Sequence, residues 1–169
     1  KCAYEYRKSL GSELAKETDL KADLVVPVPD SGVPSALGYA ETANKKFELG
    51  LIRNHYVGRT FIEPTQNIRS LGVKLKLSST KTLVKNKSII LIDDSLVRGT
   101  TCHKIVKMLY ESGAKEVHVR IACPEIKYPD FYGVDMPTRE ELLANNKDVN
   151  EMCNYIKAKS LKFLSIEGL

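Results

Sequence analysis

The residues best suited to chemistry lie together between positions 93 and 101. Asp93 and Asp94 are adjacent, and small or hydroxyl-bearing residues follow them closely: Ser95, Gly99, Thr100 and Thr101. Two neighbouring carboxylates repel each other unless a divalent cation or a vicinal diol lies between them. Hydroxyls and the unpaired amides that open a helix favour a phosphate group. This cluster therefore predicts a ligand with a phosphate and a ribose-like diol, together with Mg²⁺.

The segments around this cluster indicate how it is positioned. Ile89 to Ile92 is a short, unbroken apolar run, which is typical of a strand buried on both faces. After the cluster, apolar residues recur at i, i+3, i+4 and i+7 from Cys102 to Leu109, as on one face of a helix. A strand, an acidic pair, a polar loop and a helix predict the carboxyl edge of a parallel sheet, where ligands bind. A solvated turn is the weaker interpretation, because two adjacent acids follow a fully apolar strand.

A second strand, turn and helix occur earlier in the chain. Asp23 to Pro29 reads as a buried strand, Asp30-Ser31-Gly32 as a turn, and Val33 to Lys46 as a helix. Backbone amides in such a turn can hold a pyrophosphate, and Ser31 can offer an oxygen to a metal. A plain turn with a local hydrogen bond from Asp30 fits the residues equally well, so they leave both interpretations open.

The stretch after a predicted strand at Phe47 to Ile52 has no clean periodicity. Between Arg53 and Gln66 it mixes aromatic residues, arginine, glycine and proline. A long irregular stretch inside a compact domain is usually a functional lid or a disordered loop.

Two of these segments resemble a known family. IILIDDSLVRGTT, residues 89–101, resembles the signature of the type I phosphoribosyltransferases. RNHYVGRTFI, residues 53–62, resembles the flexible loop of one branch, the glutamine phosphoribosylpyrophosphate amidotransferases, although Arg53 and His55 depart from its commonest lysine and arginine. The resemblance covers essentially the whole chain. It implies an α/β fold of the type I phosphoribosyltransferase kind, with a central, mostly parallel sheet flanked by helices.

The resemblance also implies a reaction. Phosphoribosylpyrophosphate and ammonia would give 5-phosphoribosylamine and pyrophosphate, the first step of purine biosynthesis. Asp93 and Asp94 would hold the ribose hydroxyls and, with Ser31, the metal. Asp30, Ser31 and Gly32 would bind pyrophosphate, and Tyr56, Arg59 and Ile62 would act in a closing lid. The cradle of the 5′-phosphate would consist of Ser95, Arg98, Gly99, Thr100 and Thr101.

Cofactor and partner expectations follow from the same resemblance. Mg²⁺ is the expected cofactor. Some members carry an iron–sulfur cluster held by four cysteines, but Asp130 stands at one ligand position here, so we expect no cluster. We expect residues 1–169 to be the C-terminal phosphoribosyltransferase domain, with the N-terminal glutaminase domain, the source of ammonia from glutamine, absent from this chain. Purine nucleotides are possible inhibitors, and a homodimer or homotetramer is expected.

Composition sets broader bounds. At 169 residues, 43% hydrophobic and 28% charged, the chain is typical of one ordinary globular domain. It has no apolar run long enough to span a membrane. The net charge of +5 is mild and its basic residues are scattered, so we expect no nucleic-acid partner. The four cysteines, at positions 2, 102, 123 and 153, form no CxxC pair, which favours free thiols in the cytoplasm.

Several further elements are predicted by periodicity and by helix caps. The helices are Tyr4 to Thr18, Arg139 to Ala144 and Val149 to Ala158, the last two opened by capping boxes at Thr138–Glu141 and Asp148–Glu151. The strands are Val117 to Cys123 and Leu161 to Ile166, and Thr80 to Asn86 reads as a polar connection.

Two other functions compete with the amidotransferase. A phosphoribosyltransferase that uses a nucleobase would need a base-recognition segment, and the sequence shows no such signature. A regulator that senses phosphoribosylpyrophosphate would tolerate loss of the lid segment, which is intact. The lid segment therefore favours the amidotransferase.

Overall fold

The protein is built on a sheet of five parallel strands. The computed structural model describes residues 2–54, 77–130 and 138–169. In spatial order the strands are β2 (Lys46–Phe47), β1 (Leu24–Pro27), β5 (Ser88–Asp93), β6 (Glu116–Ile121) and β7 (Ser160–Phe163). All four neighbouring pairs are parallel, and β5 occupies the centre. The predicted parallel sheet is therefore confirmed.

Helices cover both faces of this sheet. The long strand β5 divides its side chains between two cores, because successive residues of a strand point to opposite faces. Ile90 and Ile92 pack in a cluster with α1 (Ala3–Lys16) and α2 (Val33–Thr42). Ile89 and Leu91 pack in the other cluster, which also contains residues of α4 (Thr100–Glu111) and α6 (Val149–Ile156). The predicted burial of this strand on both faces is confirmed.

Helices α1 and α2 contact each other through their backbones. A Cβ on Gly11 would lie 1.8 Å from the Ser35 carbonyl oxygen, and a Cβ on Gly38 would lie 1.9 Å from the Lys8 carbonyl oxygen. Only glycine fits at both positions. The Ser35 hydroxyl also donates a hydrogen bond of 2.9 Å to the Arg7 carbonyl oxygen. These contacts fix α2, whose first turn adjoins the Asp30–Gly32 turn.

The predicted boundaries after α2 were wrong in two places. The helix ends at Thr42, not at Lys46, because Asn44 adopts a φ of 49° and the Lys45 amide donates back to the Ala40 carbonyl oxygen. The single strand predicted over Phe47–Ile52 is two strands, β2 and β3 (Leu51–Arg53). Between them the Gly50 amide donates to Glu48, and β3 leaves the main sheet to pair antiparallel with β4 (Leu77–Ser79).

Shorter elements complete the described chain. The predicted polar connection at Thr80–Asn86 contains a helical turn, α3 (Lys81–Val84), because Val84 is fully buried in the core. The capping box at Asp148–Glu151 opens α6 as predicted. The box at Thr138–Glu141 opens a 3₁₀ helix, Arg139–Glu141, which extended Leu142 separates from α5 (Leu143–Asn146). None of the helices in the described ranges is long and apolar enough to cross a bilayer.

Candidate active site

The two predicted ligand-binding turns emerge side by side from the sheet. In the β1–β5 register, Pro27 lies opposite Ile92, so the strands end together. The pairing continues one residue further, since the Val28 amide donates a hydrogen bond of 2.8 Å to the Ile92 carbonyl oxygen. The turn at Asp30–Gly32, here called the β1 loop, is thus held beside Asp93 and Asp94. The structure brings the two loops to one sheet edge, as expected for a site shared by both.

Gly32 makes the close approach of the β1 loop possible. A Cβ at this position would lie 2.6 Å from the Ile92 carbonyl oxygen and 2.9 Å from the Val28 carbonyl oxygen. Both obstacles are backbone atoms of paired strands, so neither moves easily. Within the turn, the Gly32 amide donates to Val28 at 3.0 Å, and the peptide bond between Pro29 and Asp30 is cis.

Asp30 and Ser31 occupy the outer side of the β1 loop. The Asp30 carboxylate accepts a hydrogen bond of 2.8 Å from the Arg53 guanidinium, in an ion pair with 61% and 49% of the two side chains exposed. Ser31 is half-buried at the start of the turn into α2. The ion pair links the β1 loop to β3. Asp30 therefore faces a cation in this arrangement.

Residues 95–101, which follow β5, are here called the phosphate loop. They line a pocket of about 210 Å³ at the predicted phosphate cradle. Gly99 caps α4 with a φ of 74°, a left-handed conformation that favours glycine. Thr100 and Thr101 are the exposed first residues of that helix. The residues lining the pocket are Asp93, Ser95, Leu96, Val97, Arg98, Gly99, Thr100, Thr101 and Cys102. Helix-opening amides and hydroxyls beside one pocket are well suited to an anion.

The acidic pair lies between the two loops. The Asp94 amide donates to the Asp93 carboxylate at 2.9 Å, and the Ser95 hydroxyl donates to the Asp94 carboxylate at 3.2 Å. Burial, followed by the negative charge of Asp94, raises the pKa of Asp93 to about 8. A carboxyl group in this situation readily loses its proton when a cation or hydroxyl donor approaches, because either one stabilises the carboxylate.

These oxygens are also chemically suited to Mg²⁺. Within the described ranges, no group of three or more histidine, cysteine or acidic residues forms a ready-made metal cage. Mg²⁺ commonly binds through one or two carboxylates plus substrate phosphates and waters. Asp93 and Asp94 supply hard oxygen ligands of that kind, and burial beside Asp94 raises the pKa of Asp93, so a bound cation would favour its ionised form.

The phosphate loop is supported by a segment that the sequence did not connect with it. The Leu143 amide donates to the Val97 carbonyl oxygen at 2.9 Å, and Arg98 pairs with Glu141 at 3.3 Å. A Cβ on Gly99 would lie 2.7 Å from the Leu143 side chain and 3.1 Å from the Tyr155 ring. No local signal indicated this support, because the φ of 74° at Gly99 already accounts for a glycine there.

Two cysteines and a histidine near the sheet are buried or partly buried and show no sign of reactivity. Burial raises the pKa of Cys102 and raises that of Cys123 to about 11, so neither thiol is activated. His118 is buried and its Nδ1 lies 2.8 Å from the Ser160 hydroxyl on the neighbouring strand. The predicted lid residues Tyr56, Arg59 and Ile62 lie outside the described residues.

The chain matches a known protein family. A family model described as "Phosphoribosyl transferase domain" matches residues 7–132. The chain belongs to that family. The match contains both loops and the acidic pair.

Curated relatives and solved structures narrow the resemblance. The chain is 59% identical over 167 residues to an amidophosphoribosyltransferase of Rhizobium etli, covering 98% of this chain and 34% of the relative. It is 52% identical over 169 residues to the Staphylococcus aureus amidophosphoribosyltransferase, covering 100% and 34%. The solved glutamine phosphoribosylpyrophosphate amidotransferase from B. subtilis, complexed with ADP and GMP, is 51% identical with a TM-score of 0.88, covering 98% of this chain and 36% of that one. The chain therefore spans about a third of the length of these phosphoribosyltransferase relatives.

Proposed function

We propose that this phosphoribosyltransferase domain forms 5-phosphoribosylamine and pyrophosphate from phosphoribosylpyrophosphate and ammonia, the amidophosphoribosyltransferase reaction of purine biosynthesis. The observation that carries the proposal is the joint placement of the β1 loop, the acidic pair and the phosphate loop at one sheet edge. Relatives that align over nearly the whole chain are named for this activity, which supports the choice of ammonia over a nucleobase as the nucleophile.

The chemistry requires binding and electrostatics more than a protein nucleophile. As pyrophosphate leaves, the ring carbon becomes positively charged, so the site must hold the leaving group and exclude water. In this proposal the amides of α4 and residues 95–101 hold the 5′-phosphate, and Asp93 and Asp94 hold the ribose hydroxyls. Asp30, Ser31 and Gly32 hold the pyrophosphate group, and Tyr56, Arg59 and Ile62 cover the substrate.

Metal requirements follow from the donor atoms. Asp93 and Asp94, with Ser31, would hold Mg²⁺, which when bound neutralises charge on the pyrophosphate group. The absence of an iron–sulfur cluster stays a prediction, based on Asp130 at a ligand position. An iron assay of the purified protein tests it, and stoichiometric iron and sulfide would contradict it.

Several proposals concern a longer protein. Ammonia would come from glutamine through an N-terminal glutaminase domain, and the assembly would be a homodimer or homotetramer. The B. subtilis relative was solved with ADP and GMP, which supports purine nucleotides as inhibitors of this chain as well. Four free thiols favour a reducing cytoplasm as its location. Inhibition by added ADP and GMP, measured on the wild-type chain, tests the nucleotide proposal directly.

The proposed reaction is tested by measuring pyrophosphate released from phosphoribosylpyrophosphate and Mg²⁺, with either ammonium chloride or glutamine as nitrogen donor. We expect release with ammonium chloride. Asp94→Asn removes a charge-assisted hydrogen bond, so we expect about a 10- to 100-fold loss in kcat/KM.

Glu111→Gln is the matched control, since it removes a carboxylate at the far end of α4, where Glu111 pairs only loosely with Lys107 at 3.8 Å. It should leave release unchanged. Tight substrate binding without release for either donor would contradict the proposal and favour a sensor of phosphoribosylpyrophosphate.

A further inference from the structure

His103 connects three elements around the phosphate loop. Its backbone amide donates a hydrogen bond of 2.8 Å to the Gly99 carbonyl oxygen. Its ring Nδ1 lies 3.0 Å from the Tyr155 carbonyl oxygen, in the last turn of α6. The two rings also pack together, with centroids 6.1 Å apart and planes tilted by 37°. One residue of α4 therefore joins the phosphate loop to a helix from the C-terminal part of the chain.

The contact with Tyr155 requires a proton on Nδ1 of the imidazole ring. A carbonyl oxygen only accepts hydrogen bonds, so Nδ1 must carry the proton. The ring cannot satisfy this contact as the Nε2-protonated tautomer. The bond is therefore specific for a donor at the Nδ1 position.

Tyr155 in turn covers the most constrained residue of the phosphate loop. Its ring lies where it would be 3.1 Å from a Cβ on Gly99, beside the Leu143 side chain. Gly99 adopts a left-handed conformation and precedes the amides that open α4. Moving α6 away would remove the Tyr155 ring from Gly99.

We propose that His103 is a positioning residue of the 5′-phosphate site, acting through its Nδ1–H bond to Tyr155, which holds the Tyr155 ring over Gly99. The inference rests on the proposed function, because it concerns the loop assigned there to the 5′-phosphate. His103 does not line the phosphate pocket, so it acts through Tyr155 and not by touching the substrate. Among the residues that the structure describes, His103 and Tyr155 contact the phosphate loop and not the β1 loop.

This asymmetry gives a selective test with two ligands. Ribose 5-phosphate probes the phosphate loop, and inorganic pyrophosphate with Mg²⁺ probes the β1 loop, each by calorimetry on the wild-type chain and its variants. In His103→Ala we expect about five- to ten-fold weaker ribose 5-phosphate binding, the range for loss of one hydrogen bond, and unchanged pyrophosphate binding. In the release assay the KM for phosphoribosylpyrophosphate should rise while kcat stays within about two-fold.

Two conservative variants distinguish a role for the hydrogen-bond donor at the Nδ1 position from a role for side-chain packing. An asparagine amide nitrogen can occupy the place of Nδ1, so His103→Asn should restore ribose 5-phosphate binding to within about two-fold. A glutamine amide reaches further, towards the place of Nε2, so His103→Gln should bind as weakly as His103→Ala. Nitrogen-detected NMR of the wild-type ring at alkaline pH should show the Nδ1-protonated tautomer.

The outcomes distinguish this inference from the proposed function. Equal ribose 5-phosphate affinity in wild type and His103→Ala, a parallel loss of pyrophosphate binding, or an Nε2-protonated ring would overturn the role of His103 alone. A wild-type chain that binds neither ligand would instead contradict the proposed function itself.

Discussion

The β1 loop and the phosphate loop serve the same sheet edge but are held in place differently. Gly32 has an ordinary φ of −76°, and it is glycine because strand backbone atoms lie against it. Gly99 has a φ of 74°, and the atoms against it are side chains from Leu143 and Tyr155. The sheet itself fixes the first loop, whereas helices outside the sheet fix the second. The candidate active site thus depends on two supports that can be weakened separately.

This difference has a physical consequence for the two loops. Strand backbones are rigid because both neighbours hold them, so the β1 loop has little freedom while β1 and β5 stay paired. The side chains that cover Gly99 can change rotamer. Other contacts that hold the phosphate loop are a hydrogen bond from the Leu143 amide and an ion pair with Glu141. The phosphate loop is therefore the more adjustable half of the site.

The largest effect is expected from Gly99→Ala. An alanine in the left-handed region costs about 1–2 kcal/mol, and overpacking against Leu143 adds about 1–3 kcal/mol, so we expect the free energy of unfolding to fall by about 2–5 kcal/mol. Ribose 5-phosphate binding should weaken by at least about ten-fold, because the loop must change shape. Urea unfolding and calorimetry measure the two quantities.

Gly113→Ala is the matched control for Gly99→Ala. Gly113 also has a positive φ, of 93°, but its nearest neighbour is the Lys85 side chain at 3.2 Å. In this variant the free energy of unfolding should fall only by the cost of the left-handed backbone, about 1–2 kcal/mol, and ribose 5-phosphate affinity should be unchanged. Loss of ribose 5-phosphate binding in both variants would mean that general destabilisation, and not the local loop, sets affinity.

Gly32→Ala should have the next largest effect, confined to the other half of the site. The new Cβ would be 2.6 Å from the Ile92 carbonyl oxygen, so the turn must move away from β5. Overpacking of this kind costs about 1–3 kcal/mol of unfolding free energy. Calorimetry should show weaker binding of magnesium pyrophosphate with ribose 5-phosphate binding retained. The reverse pattern of affinities would contradict the assignment of the two loops.

Asp93→Asn should remove a pH dependence of stability. The pKa of Asp93 is about 8 in the folded chain, above its ordinary value near 4 when unfolded, so the folded state holds the extra proton between these values. Stability therefore decreases as pH rises from about 4 to about 8. Between about pH 6 and 7.5 the free energy of unfolding of the wild type should fall by up to ~2 kcal/mol, and that of Asp93→Asn should fall by less. Urea unfolding at each pH measures both. Identical slopes for the two proteins would show that Asp93 is already ionised.

The smallest effect is expected where the β1 loop meets Arg53. The Arg53–Asp30 ion pair is about half exposed, and such pairs contribute only ~0.2–1 kcal/mol. Asp30→Asn should therefore lower the free energy of unfolding by less than about 1 kcal/mol. Added salt should reduce this difference between the variant and the wild type. A loss above about 2 kcal/mol would mean that the pair is buried in solution.

Much of the site was predictable from local sequence. The apolar run at Ile89–Ile92 and the acidic pair after it indicated a strand end with a ligand, because both signals lie within a few residues. The Asp30–Gly32 turn was found for the same reason. That Gly32 must be glycine was not predictable, since the obstacle, Ile92, becomes its neighbour only when β1 pairs with β5.

The parts that sequence reasoning missed depend on distant contacts. The strand predicted over Phe47–Ile52 divides because its second half pairs with β4 and not with β1, a choice that no local pattern reveals. The support of Gly99 by Leu143 and Tyr155 was invisible for a similar reason. The capping box at Asp148–Glu151 indicated where α6 begins, but it carries no information about what that helix contacts.

The backbone contact between α1 and α2 affects which mutations this domain can accumulate. Gly11 and Gly38 leave no side chains at the crossing, so the spacing between the helices does not depend on which apolar residues surround it. Residues on the outer surface, such as the exposed Lys8–Glu41 pair, can change without altering that spacing. Surface divergence between homologues should therefore be extensive on these helices, while the start of α2 and the β1 loop before it keep their place.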